Sequence, residues 1–211
     1  MTLSLGFVAG LLASYAIGGI PVGWLIARRQ GIDISKRGSG GIGFTNTFRV
    51  LGRETAIIVI MCDVTKGASA VAIAWLLVRN GGIPYAASVY GIAAMIGHSW
   101  SPVIRVFSRK WGGGRSVATA LGVLLMLSPL AGLAGVVTVV AVAATTRYVS
   151  LGTLCAIPVA VLVSVLQYAR FGGSADGVAF AVVAAVFLVV RHIENIRRLA
   201  SGTERRWGER A

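Results

Sequence analysis

Seven apolar runs, parted by short segments that carry most of the charge, constrain this chain more than any other feature. They cover residues 3–27, 55–78, 84–107, 117–127, 130–145, 151–168 and 177–190. A helix needs about 20 apolar residues to cross the hydrocarbon core of a bilayer. Several runs are shorter, 117–127 above all, and read as tilted or partly re-entrant segments. Composition agrees: 56% of residues are hydrophobic and 13% charged, with a mean hydropathy of +0.80. A soluble domain carries about 25% charged residues. The expected fold is all-α, a polytopic membrane helical bundle of about seven membrane helices, forming a single integral-membrane domain over residues 1–211. The first run lacks a basic leader and is too long for a cleaved signal, so it counts as a span. Gly18, Gly19, Pro21 and Gly23 in its second half predict a kink and close helix contact.

The charges orient the bundle. With the N-terminus outside and the segments alternating, 17 of the 20 Lys and Arg fall inside, in 28–53, 105–116, 145–150 and 191–211. Only Arg79 and Arg170 fall outside, and Lys66 lies within a span. This bias predicts a multi-pass protein of the cell membrane with a cytoplasmic C-terminus. It also explains the net charge of +13 without a nucleic-acid partner. Cys62 and Cys155 lie in apolar stretches and read as small apolar residues, neither a disulfide nor a metal site.

Two glycine-rich basic loops share the predicted cytoplasmic face. The first runs Gly38-Ser39-Gly40-Gly41-Ile42-Gly43-Phe44-Thr45-Asn46, flanked by Lys36, Arg37 and Arg49. Glycines at this density let backbone N–H groups turn towards an anion. The stretch contains G-x-G-x-x-G, but no strand precedes it as a dinucleotide site requires, and Phe44 stands where a P-loop needs lysine. The second loop, Trp111-Gly112-Gly113-Gly114-Arg115-Ser116, feeds a helix whose N-terminus favours anions, and Arg115 adds a forked donor. An ordinary flexible loop is the alternative reading for the second.

Other ionisable groups gather towards the same face. His98 and His192 stand near span ends and suit phosphate donation or proton handling; neither has a Cys or carboxylate at metal-ligand spacing. Asp63 and Lys66 lie three residues apart within a span, as a supporting ion pair or as participants. His192, Asn195 and Arg198 share one helical face, with a lipid-headgroup-binding helix as the alternative. Ser150 is a candidate hydroxyl donor whose local sequence shows no base. A face rich in phosphate donors and poor in nucleophiles suggests catalysis by positioning and charge stabilisation, without a covalent intermediate.

In this order the motifs resemble the bacterial membrane glycerol-3-phosphate acyltransferases that use acyl-phosphate. The resemblance rests on residues 38–52, on Asp63-Val64-Thr65-Lys66-Gly67, on Gly97-His98, on residues 113–119, on Arg147-Tyr148-Val149-Ser150, and on 191–196 with Arg198, Leu199 and Gly202. It implies seven membrane helices, a cytoplasmic active site, and acyl transfer from acyl-phosphate to the 1-position hydroxyl of glycerol-3-phosphate, giving lysophosphatidic acid. It implies no metal, no cofactor and no protein nucleophile; the partners are the two substrates and membrane lipids, and a monomer is expected. By the same resemblance, Ser39, Gly40, Gly43, Thr45 and Asn46 would hold the phosphate of acyl-phosphate. Arg49, Arg115, Ser150, His192 and Asn195 would hold or orient glycerol-3-phosphate, with Arg115, Ser150, His192 and Asn195 as the catalytic set. His98, Lys66 and Glu194 would support the substrate site.

The chain departs from the family pattern at Gly41, where Asn is usual, at Phe44, where Ala is usual, and at Arg115-Ser116, where Lys-Gly is usual. The segment from His98 to the second loop is also longer. Arg keeps the charge of Lys but changes donor geometry. The alternative reading is a diverged paralogue, non-catalytic or differently specific, that binds an organic phosphate. An organic-phosphate transporter would call for an inverted repeat, and the two halves show none.

Overall fold

The computed structural model describes residues 5–78 and 83–209. Arg79, expected outside, and most of the turn expected at 79–83 lie outside the described residues, as does the start of the first run. The described chain is all-helical, without strands. Three of its helices are long and apolar enough to cross a membrane, or five if each of two bent pairs counts as one span.

The first run forms α1 (Leu5–Gly18) and α2 (Val22–Arg29), bent by 41° at Gly19-Ile20-Pro21. Proline removes a backbone donor and opens the helix there. The glycines permit close approach: a Cβ at Gly18 would lie 2.1 Å from Ala94 O, and one at Gly23 would lie 2.3 Å from Ile42 O. A 3-10 turn (Ile34–Lys36) leads to α3 (Phe44–Leu51) and then to α4 (Arg53–Val78). At 26 residues α4 is about 39 Å long, a full crossing.

The third run is not one helix. It forms α5 (Ala86–Ser99) and α6 (Pro102–Ser108). Ser101 causes the break: its Oγ accepts from Ile104 N at 3.2 Å, capping a new helix whose first residue is proline. The same hydroxyl donates to Gly19 O at 2.5 Å, tying one broken helix to the other. The short run is α7 (Val117–Leu127). The remaining helices are α8 (Pro129–Thr146), α9 (Val149–Phe171), α10 (Ala175–Arg191) and α11 (Ile193–Ala200), the last pair bent by 56° at His192.

The chain divides into two units, with the boundary between Val123 and Leu124 inside α7. In the first, α1, α4 and α5 pack on one another, with α2 and α3 against α4. Backbone contact also joins α4 to α7, where a Cβ at Gly67 would lie 2.0 Å from Thr119 O and one at Gly122 would lie 1.9 Å from Val64 O. In lipid such closeness supplies packing that apolar burial cannot. In the second unit, α8, α9 and α10 pack in sequence and α11 follows α10.

Candidate active site

The first glycine loop is held from behind by one side chain. Asn46 Nδ2 donates to Gly41 O at 2.8 Å, to Arg37 O at 3.1 Å and to Ile34 O at 3.4 Å, while its Oδ1 accepts from Ser39 N at 2.8 Å. Asn46 was expected on the phosphate; both ends of its amide are instead engaged by the loop's own backbone. Thr47 adds a bond to Ile42 O, and Trp24, Ala27, Ile34, Ile42 and Ile104 form an apolar cluster beneath. Gly38 and Gly40 take φ of +58° and +72°, which side-chain-bearing residues resist. Among the described residues, the N–H groups of Gly41, Ile42 and Gly43 take no part in the loop's internal bonds. They precede the N-terminus of α3, where Thr45 and Arg49 are half-buried and Ser39 is exposed nearby in the chain. Unengaged N–H groups ahead of a helix N-terminus suit an anion. The absent side chain at Gly41 leaves room: a Cβ there would meet only Ser39 Oγ, at 3.7 Å.

The second loop lies on the last turn of α5. Gly114 N donates to His98 O and Ser101 N donates to Gly112 O, both at 3.0 Å. Ser116 takes φ of +63°, the left-handed region, and is buried there. Its hydroxyl compensates by donating to Met95 O at 2.7 Å and by pairing with Ser99 Oγ at 2.7 Å. Arg115, half-buried, stands between these anchors. Beneath it, Lys66 Nζ binds Asp63 Oδ1 at 2.6 Å, and His98 Nδ1 lies 3.5 Å from the same oxygen, all three side chains buried.

In the second unit the organising group is one the sequence reasoning missed, Glu204. Its Oε1 accepts from Ser150 Oγ at 2.7 Å and from Asn195 Nδ2 at 2.6 Å, and its Oε2 accepts from Arg198 Nε at 2.7 Å. Burial pushes its carboxyl up, but the bonds from Ser150, Arg198 and Asn195 and the charge of Arg198 outweigh this and hold it below its ordinary value. The tail reaches this position because α11 ends in a Schellman turn at Gly202, with Thr203 N on Arg198 O and Gly202 N on Leu199 O. Trp207 N then donates to Arg147 O at 2.6 Å, Arg147 Nη2 donates to Trp207 O at 3.0 Å, and Arg206 lies over the Tyr148 ring. Glu194, the carboxylate expected in the site, is 69% exposed and pairs with Arg197 at 3.0 Å. A helix-ending glycine followed by an acid in an arginine-rich tail was the available signal for Glu204.

The carboxylate dictates the orientation of Asn195. An ionised carboxylate only accepts hydrogen bonds, so the amide must turn its Nδ2 to Glu204. Asn195 Oδ1 is thereby left buried, on a side chain 2% exposed, with no partner among the described residues. His192 Nδ1 lies 2.8 Å from Leu188 O. A carbonyl cannot donate, so Nδ1 carries a proton and donates to it. Cys62 and Cys155 are free thiols, half-buried, and no described group of three or more His, Cys, Asp or Glu is arranged to hold a metal ion.

Lipid-length apolar helices define an integral membrane protein; its first unit carries a stapled glycine loop suited to an anion, and its second a buried acceptor, Asn195 Oδ1. Comparison with known proteins narrows the class. The sequence profile of the family described as Glycerol-3-phosphate acyltransferase matches residues 8–202. A glycerol-3-phosphate acyltransferase of Halalkalibacterium halodurans is 38% identical over 201 residues, covering 95% of each chain. Glycerol-3-phosphate acyltransferase 1 of Deinococcus radiodurans is 39% identical over 210 residues, covering 99% of each. Among solved structures, PlsY (YgiH), an integral membrane glycerol 3-phosphate acyltransferase, superposes in its glycerol 3-phosphate form with a TM-score of 0.83 at 31% identity, covering 96% of both chains. Its lysophosphatidic acid form gives a TM-score of 0.81. The chain belongs to the glycerol-3-phosphate acyltransferase family and is an enzyme of that class.

Proposed function

We propose that the chain transfers an acyl group from acyl-phosphate to the 1-position hydroxyl of glycerol-3-phosphate, the lysophosphatidic-acid-forming step of phospholipid synthesis. The hydroxyl oxygen bonds to the acyl carbon, the acyl-to-phosphate C–O bond breaks, inorganic phosphate leaves and the hydroxyl proton is released. The observation that carries this reading is the buried, unpartnered Asn195 Oδ1. A buried acceptor without a partner costs about 1–3 kcal/mol, which a substrate hydroxyl would recover. The stapled first loop supports it, since its N–H groups, with Ser39, Gly40, Gly43 and Thr45, suit the phosphate of acyl-phosphate. Asn46 serves that loop as its staple. Arg49, Arg115, Ser150 and His192 act on glycerol-3-phosphate, and Lys66 and His98 support Arg115. In this reading the single domain crosses the cell membrane seven times as a monomer, N-terminus outside, with its chemistry at the cytoplasmic face; the charge asymmetry supports that orientation.

Purified protein in lipid vesicles, given acyl-phosphate, glycerol-3-phosphate and a metal chelator, should form lysophosphatidic acid and inorganic phosphate in equal amounts. No product, beside an active relative, would sink the proposal. The diverged-paralogue reading is favoured by Gly41 and Arg115. It predicts an inactive wild type that Gly41→Asn with Arg115→Lys switches on, and the open space at Gly41 makes that variant foldable.

A further inference from the structure

Arg115 is fixed from both sides by the end of α5. On one side Ser116 is tied to Met95 and Ser99. On the other, the backbone of Gly113 and Gly114 lies against His98. A Cβ at Gly113 would come within 2.3 Å of His98 O, and one at Gly114 within 2.1 Å of His98 Nε2, 2.9 Å of its Cδ2 and 3.1 Å of its Cε1. The imidazole is thus in contact with the glycine backbone along one side of the ring, and only glycine fits there. The ring is buried, with Nδ1 facing Asp63 Oδ1 at 3.5 Å, and Lys66 Nζ holds that oxygen at 2.6 Å. The pair inside α4 lies beside the ring, and the ring abuts the loop.

We propose that His98 is a positioning residue for Arg115: buried beside Asp63 and Lys66, its imidazole is the platform on which Gly113 and Gly114 lie, and this fit sets where the Arg115 guanidinium meets a substrate phosphate. The inference rests on the proposed function in one respect, that Arg115 engages glycerol-3-phosphate. Here a core position against glycine backbone gives the ring a steric task.

The test is a size exchange in full-length protein in vesicles, with acyl-phosphate saturating and glycerol-3-phosphate varied. Gly114→Ala should raise KM for glycerol-3-phosphate about tenfold or more while kcat changes less than about threefold, the signature of a displaced binding group. His98→Ala should raise KM more modestly. The double variant, in which the added methyl occupies space the imidazole vacated, should return KM to within about threefold of His98→Ala alone. A double variant no better than Gly114→Ala, or a His98→Ala protein with wild-type KM, overturns the positioning role. If Gly114→Ala does not fold, the yield of folded protein reads the same fit: His98→Ala must restore it, and failure to do so overturns the proposal. An inactive wild type would overturn the proposed function. The same variants titrated with inorganic phosphate, against Arg115→Ala, would then read the platform, and phosphate binding indifferent to both His98 and Arg115 would overturn it.

Discussion

Replacing Glu204 with glutamine keeps the shape of the side chain and removes its charge, which isolates what the carboxylate does. The carboxylate accepts from Ser150, Asn195 and Arg198 at 2.6–2.7 Å. Glutamine has one acceptor and one donor end. In its better orientation it keeps Ser150 and Asn195 on its oxygen and turns an NH2 towards Arg198 Nε, donor against donor. One charge-assisted bond of about 1.5–3 kcal/mol is lost and the other two weaken, a total of about 2–4 kcal/mol. For a chain of this size that lowers the thermal midpoint by roughly 10 °C. The measurement is thermal unfolding of wild type and Glu204→Gln in the same detergent across pH. The carboxyl is held below its ordinary value of 4.5 in the folded protein. Its stabilisation is therefore fully present above the unfolded value and is lost as pH falls through the folded one. The gap between the two proteins should be widest near neutrality and close in acid. Equal midpoints at neutral pH, or a gap that persists undiminished in acid, would refute a network held by charge.

Other outcomes follow from the two loops. Asn46→Asp sets a carboxylate against the carbonyls of Gly41 and Arg37, should cost about 2–4 kcal/mol, and should speed tryptic cleavage at Lys36 and Arg37. Unchanged cleavage with lost activity would instead mean that Asn46 touches substrate. At position 116, glycine relieves a left-handed strain of about 1–2 kcal/mol while losing two hydrogen bonds of about 1 kcal/mol each, so Ser116→Gly should keep nearly the wild-type midpoint. Ser116→Ala loses the bonds and keeps the strain, so its midpoint should fall below both; the reverse order would show that the hydroxyl does not compensate for φ.

The helices were legible because lipid leaves the backbone little choice, and the apolar runs returned as α4, α7, α8, α9 and α10 with small shifts at their ends. The break at Ser101 was not, because a serine cap inside an apolar run changes hydropathy very little. Both glycine loops could be read from composition. The reversal of Asn46 could not, since its partner carbonyls are brought together only by the turn they stabilise. Glu194 is a site residue by the resemblance alone, and helical periodicity identifies only neighbours within a turn. Glu204 meets Ser150 across 54 residues, a pairing no local periodicity records. Ser116 signalled its positive φ only by departing from the resembled family pattern, which has glycine there.

The glycine contacts between helices also determine where this protein tolerates change. In a soluble domain, substitutions do most harm at large apolar core positions and least on the surface. Here Leu76, Val137 and Val186 are 82%, 66% and 65% exposed, outward-facing positions where one apolar side chain serves as well as another. At Gly18, Gly67, Gly97 and Gly122, a single added methyl would fall within about 2 Å of a neighbouring backbone oxygen. A complete substitution scan should therefore be permissive at these outward-facing apolar positions and intolerant at these glycines.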